Sequence, residues 1–155
     1  MRLKVEVNGR EHFHVLPWRV IPFTVRNGWF TGGSDVLTYE LEELLGTKMR
    51  ALYQRRKGRD LFDLDYALLH ADIDAARLVE CFCHYMYVSS GKIPTQRQFE
   101  MGMQEKLANV DYLADIPSIV LPSVTFNAEE AFGRVHEMLI SRVDVARKAF
   151  LRTRA

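Results

Sequence analysis

Leu41-Glu42-Glu43-Leu44-Leu45-Gly46-Thr47-Lys48, continuing through Ala51-Leu52 to Arg59-Asp60-Leu61-Phe62-Asp63-Leu64, is the stretch on which the reading of this chain turns. Its leucines recur at helical spacing and predict a helix over residues 40–54. Glu40, Glu42 and Glu43 fall in its first turn, where the helix dipole favours acids. Leu41, Leu44, Leu45 and Leu52 define the predicted buried stripe. Lys48 stands four after Leu44, three after Leu45 and four before Leu52, hence on that stripe. A lysine there either packs its stem and snorkels to water or meets an anion. A basic turn of Arg55, Arg56, Lys57 and Arg59 follows, and a second helix opens on Asp60 and Asp63, three apart on one face. Asp60 is placed to cap that helix. Asp63, flanked by Phe62 and Leu64, has no such routine role. Together these residues predict a charged site at the junction of two helices.

Upstream, the first forty residues read as β structure. Leu3, Val5 and Val7 alternate with charged and polar neighbours, Asn8-Gly9 signals a tight turn, and Phe13 and Val15 continue the alternation. A block from Val20 to Val25 reaches a second turn at Asn27-Gly28, and Pro22 marks that block as an edge or irregular strand. Val36-Leu37-Thr38-Tyr39 is a last short extended piece. Downstream, everything reads as helix. Helix two starts near Asp60, and a nearly all-apolar helix over residues 73–88 is predicted to be central. Ser89-Ser90-Gly91-Lys92-Ile93-Pro94 breaks it. Thr95 and Gln98 form a capping box for a fourth helix with Phe99, Met103, Leu107 and Val110 facing inward. Residues 116–122 read as an extended connector. Asn127 and Glu130 cap a last helix carrying Phe132, Val135, Leu139 and Val143. The predicted architecture is α+β: short N-terminal strands or hairpins over residues 1–39, then a bundle of about five helices over residues 40–155, expected to form one compact unit.

Composition narrows the function classes. The 155 residues suffice for one domain with a real core. A net charge of +1 gives no global attraction to nucleic acid or membrane, so any basic patch must be local. No apolar run approaches the roughly 18 residues of a membrane span, and the charge-alternating start does not resemble a secretory signal. Cys81 and Cys83, two apart on a predicted helix, diverge too far for a disulfide, and a reducing, cytoplasmic setting is expected.

The run Leu41-Glu42-Glu43, Lys48, Ala51-Leu52, Arg55, Arg59-Asp60-Leu61-Phe62-Asp63-Leu64 resembles the later half of the AbiEii/AbiGii toxin family, nucleotidyltransferase-like proteins often found in toxin–antitoxin or phage-abortive-infection pairs. Leu3-Lys4-Val5-Glu6-Val7-Asn8 resembles the family strand that precedes this helix, and the later helices fit its helical C-terminal region loosely. The resemblance implies transfer of a nucleotidyl group from NTP to RNA or protein. It gives Lys48, Asp60 and Asp63 catalytic roles, and Lys48, Arg59 and Arg55 contact with the nucleotide. Arg59 is expected to pair with Asp60, Asp63 or phosphate.

Family members also carry, well upstream, a glycine-serine turn and an Asp-x-Asp pair for the catalytic metal. Gly32-Gly33-Ser34-Asp35 imitates the turn superficially. Asp63-Leu64-Asp65 has the paired spacing but lies in a predicted helix, where residues two apart point roughly 200° from each other and cannot share one ion. The chain is therefore expected to be the C-terminal portion of such a protein, truncated or one half of a split one. Mg²⁺ is expected only where a complete site is assembled. The alternative reading is a catalytically inactive helical module or split-protein half that associates with an antitoxin or partner subunit. A bare strand edge also admits a homodimer.

Other constellations are weaker. His12 and His14 would share a strand face but show no third ligand. Cys81-Phe82-Cys83-His84 would diverge around a helix and reads as buried small hydrophobes. Trp18, Trp29 and Phe30 near Arg19 and Arg26 could stack bases, though covering a sheet is their simpler role. No phosphate loop or nucleophile elbow occurs.

Overall fold

A computed structural model describes residues 13–120 and 124–154. The strand and turn expected at residues 3–9 lie outside the described residues. The chain divides into two compact units, Met1–Glu40 and Leu41–Ala155.

The first unit holds an antiparallel hairpin of β1 (Arg19–Asn27) and β2 (Phe30–Thr38), in a register running from Asn27↔Phe30 to Arg19↔Thr38. The turn is closed by the Asn27 carboxamide, whose Oδ1 accepts from the backbone N–H of Trp29 and Phe30 at 3.2 and 2.8 Å. Both strands run longer than the alternation alone suggests, because pairing recruits the glycines. Gly32-Gly33-Ser34-Asp35 is the middle of β2, paired with Val25 through Pro22, and makes no turn. Phe13 and Val15 are not in a strand. His14 donates through Nδ1 to the Leu16 carbonyl at 2.7 Å, and Trp18 lies between the rings of His14 and Tyr39.

The second unit contains α1 (Leu41–Gln54), α2 (Gly58–His70), α3 (Ala75–Ser90), α4 (Gln96–Leu107), α5 (Ala128–Met138) and α6 (Val143–Arg152). With the hairpin they make an α+β protein. The apolar α3 is the central element: Leu78, Val79, Cys81, Phe82 and Cys83 are fully buried. It starts on Asp74, whose side chain accepts from Ala76 and Arg77, and stops at Gly91 in the left-handed conformation (φ 68°). α1 packs against it closely because Gly46 has no side chain; a Cβ there would lie 2.7 Å from the Cys81 Cβ. The Thr95–Gln98 capping box opens α4, and Asn127 caps α5.

Four expectations are corrected. On α1 the buried positions are Glu43, Leu45, Gly46, Met49, Ala51 and Leu52, whereas Leu44 is exposed. The helix is thus gripped on one side by α3, which takes Gly46 and Glu43; Tyr85 donates to Glu43 at 2.8 Å. α4 ends at Leu107, so Val110 falls in a following 3-10 turn (Val110–Leu113) and is exposed. Ile116–Ser118 is another 3-10 turn, which buries Ile116 where an extended connector was expected. The last predicted helix is broken into α5 and α6 by a third 3-10 turn, Ile140–Arg142, which lets the consecutive Leu139 and Ile140 both enter the core with Val143.

Candidate functional site

Lys48, in the second half of α1, reaches across to the start of α2. Its Nζ lies 2.6 Å from Oδ2 of Asp63 and 3.7 Å from Oδ1 of Asp60. The two carboxylates are one helical turn apart but differ in environment. Asp63 is partly exposed, whereas Asp60 is fully buried. The sequence places Asp60 as a cap for this helix and sets Asp63 between Phe62 and Leu64. Asp60 is the third residue of α2, and the cap comes from Asp115, whose Oδ1 accepts from the Gly58 N–H at 3.0 Å.

Asp60 receives an Arg55 amino group at 3.4 Å on Oδ1, while its Oδ2 is buried with no hydrogen-bond partner. Burial pushes its pKa above the ordinary carboxylate value, outweighing the pull of Arg55, Lys48 and Arg59, and the Asp63 charge adds to the rise. Arg59 turns away from both aspartates, with its Nε 3.8 Å from Oδ2 of Asp115. Three cations and three carboxylates therefore meet here, and the cluster gains one net positive charge whenever Asp60 is protonated.

Sequence reasoning missed the floor of this junction. Lys106 of α4 is buried and donates from Nζ to the carbonyls of Leu52 and Tyr53, the latter at 2.9 Å, closing the C-terminus of α1. Burial, helped by Arg56 and opposed by Asp60, lowers its pKa to about 8. Its signal was the same as that of Lys48: it stands three after Met103 on an inward stripe. Tyr112, also buried, has no hydrogen-bond partner for its hydroxyl, and burial together with Asp60 and Asp115 raises its pKa. Arg56, Lys106, Asn109, Asp111 and Tyr112 line a small cavity of about 150 Å³. Asp115 had no sequence signal, since its role depends on a fold-back of 57 residues.

The Asp-x-Asp spacings are occupied structurally. Asp65 points away from Asp63 and receives Arg134 of α5 on both oxygens, at 2.7 and 3.1 Å. Asp72-Ile73-Asp74 repeats the spacing, and there Asp74 caps α3. Among the described residues no three His, Cys, Asp or Glu side chains gather as a metal cage. Between Asp60 and Asp63, where a cation would be drawn, the Lys48 ammonium already sits, so Mg²⁺ does not fit there. His12 lies outside the described residues. The Cys81 and Cys83 thiols are pushed up to about 12 by burial, and His84 packs edge-on against Phe150, with its pKa lowered chiefly by burial. No described helix is long and apolar enough to cross a membrane.

A hairpin is followed in the chain by a helical bundle, in which a lysine is set between two aspartates at a helix junction. The family model described as Nucleotidyl transferase AbiEii toxin, Type IV TA system, matches residues 1–135. The chain belongs to the AbiEii family. No curated protein and no solved structure matches it.

Proposed function

We propose that this protein acts in the cytoplasm as an AbiEii-type toxin that moves a nucleotidyl group from an NTP to RNA or protein, with the junction of α1 and α2 facing the phosphates. The convergence of Lys48 and Arg55 on buried Asp60 supports this reading in a chain of this family. An acceptor hydroxyl oxygen attacks the α-phosphorus and gives up its proton to solvent, and pyrophosphate leaves, so negative charge grows on the departing phosphates. Lys48 stabilises it as a point charge and Arg55 as a planar fork. Partly exposed Asp63 releases Lys48 to the phosphate, while Asp60 keeps the lysine and Arg55 in place. Arg59 serves the nucleotide only after letting go of Asp115. Mg²⁺ would supply further neutralisation of the phosphates only where a complete site is assembled, since Asp60 and Asp63 are already held by Lys48. The family implies an antitoxin as partner.

A second reading is favoured by one observation: Lys48 is already neutralised by Asp63 and Asp60. In that reading the chain is an inactive helical module or split-protein half that binds an antitoxin or partner subunit. Transfer of labelled nucleotide from each NTP to total RNA and to protein with Mg²⁺, comparing wild type with Lys48→Ala, separates the two. Label transfer lost on substitution supports the enzyme. No transfer by either protein supports the binding module.

A further inference from the structure

A second polar concavity lies within the helical unit, sharing only Tyr53, near the end of α1, with the elements of the α1–α2 junction. It is a pocket of about 490 Å³ lined by the C-terminal end of α3 and the turn that follows it, with Tyr53 of α1, Gln98 of α4, and Arg147 and Leu151 of α6. Tyr53, Tyr87, Lys92, Gln98, Arg147 and Leu151 line its opening, over a buried floor of Met86 and Ile93. The lining contains two cations and no carboxylate. Its volume lies within the range of small-molecule sites, and the combination of aromatic rings, an amide and cations suits a base joined to a phosphate.

The surroundings extend that chemistry. Residues 142–154 carry Arg142, Arg147, Lys148, Arg152 and Arg154 against a single acid, Asp144. Asp144 is committed to the backbone N–H of Gln96, at 3.1 Å. Arg154 is stacked over Tyr87 and Phe150, 4.8 and 4.7 Å from their ring centroids, so a cation is held at the aromatic edge of the pocket. Arg147 donates from Nε to the Ile93 carbonyl at 3.1 Å, which fixes its guanidinium on the pocket wall. The Gln98 amide is held by the Thr95 cap, its Oε1 accepting from the Thr95 N–H at 2.9 Å.

We infer that this pocket binds a nucleotide of single-stranded RNA, with a base entering between Tyr53 and Tyr87 and the flanking phosphates on Lys92, Arg147 and Arg154. The choice of RNA rests on the proposed transfer reaction, for which this pocket would hold the acceptor strand. An acidic protein segment would satisfy the cations but has no use for the aromatic cavity.

The test is binding of a fluorescein-labelled 12-nucleotide oligouridine by anisotropy, without NTP or Mg²⁺, so that it reads out whether or not transfer occurs. Lys92→Ala/Arg154→Ala changes two exposed side chains, and Lys92→Ala/Arg147→Ala changes the wall; thermal melts check that each variant folds. Affinity is expected to fall about tenfold in each, with a shallower dependence on salt. A 4-thiouridine probe is expected to crosslink to the segments around residues 87–98 or 147–154. Unchanged affinity in the folded variants, crosslinks confined to other segments, or no RNA binding at all would overturn the inference. So would equally tight binding of a polyglutamate peptide with the same dependence on Lys92 and Arg154, which would assign the pocket to an acidic protein. RNA binding that maps to the pocket, in a protein that transfers no nucleotide, would uphold the pocket and sink the enzyme reading alone.

Discussion

Lys48 closes a 2.6 Å salt bridge with Asp63 across the gap between α1 and α2. Both partners keep about a third of their side-chain surface in water, and such pairs contribute only ~0–1 kcal/mol. The geometry beneath is different, because Asp60 is sealed in with one oxygen unpartnered.

That sealed carboxylate should lower the stability of the protein. Burial raises the folded-state pKa of Asp60 above its unfolded value, so its charge opposes folding at pH values above the folded pKa and has no effect below the unfolded one. Asp60→Asn is expected to raise stability at neutral pH, because no charge is then left buried. The gain should vanish near about pH 3, where the wild-type carboxyl is neutral in both states. Thermal melts of the two proteins across that range check this. A lower melting temperature for the variant at neutral pH would mean that the Arg55 and Lys48 contacts outweigh the burial.

Lys106 has the opposite pH signature. Its folded-state pKa of about 8 lies below the ordinary lysine value of 10.5, so the fold prefers the neutral amine. Its penalty is fully present below about pH 8 and is relieved as pH rises toward 10.5. Relative to Lys106→Met, the wild type should gain stability across that window, by up to roughly 3 kcal/mol. Denaturant titrations of both proteins at several pH values measure the difference in slope. Parallel curves would show that the fold leaves the Lys106 amine at its ordinary pKa.

The two lysines show what periodicity can and cannot reveal. A cation on an apolar stripe was visible at Lys48, and the aspartates that meet it were visible one helix later. These contacts are local in sequence, so spacing carries them. The same stripe logic applies to Lys106, but its partners are backbone carbonyls at the end of α1, which no residue pattern announces. The cap on α2 is supplied by Asp115 from a distant turn, and this left the burial of Asp60 illegible. In the hairpin, Gly32 and Gly33 looked like turn residues because their pairing with Val25 and Thr24 is a property of the partner strand. The helix caps at Asp74, Thr95 and Asn127 follow short-range chemistry, and Thr95 and Asn127 stood out in the sequence.

Two helical glycines should respond in opposite directions to one methyl group. At Gly46 the added Cβ would lie 2.7 Å from the Cys81 Cβ and 3.0 Å from the Phe82 nitrogen, so α1 and α3 must separate. Gly46→Ala is expected to destabilise the protein by about 1–3 kcal/mol. Gly102 in α4 has no atom within 4 Å of the same position, and Gly102→Ala should stabilise by about 0.5–1 kcal/mol through helix propensity and the unfolded-chain entropy it removes. Urea denaturation of the two variants reads both signs. A neutral Gly46→Ala would mean that the α1–α3 contact can slide apart freely.

The bond between Asp65 and Arg134 joins α2 to α5 and sets a buried carboxylate against a partly exposed guanidinium. Asp65 is 5% exposed and accepts the guanidinium on both oxygens. Arg134→Met leaves that carboxylate buried and alone, so a loss of stability is expected. Asp65→Leu frees Arg134, which is partly exposed and keeps Glu130 3.9 Å away, so its loss should be smaller. The double variant Asp65→Leu/Arg134→Met should recover most of the stability lost by Arg134→Met, because no stranded charge remains. Chemical denaturation of the four proteins closes the cycle. Additive losses would mean that the two side chains act independently and that α2 and α5 are held by their apolar contacts alone.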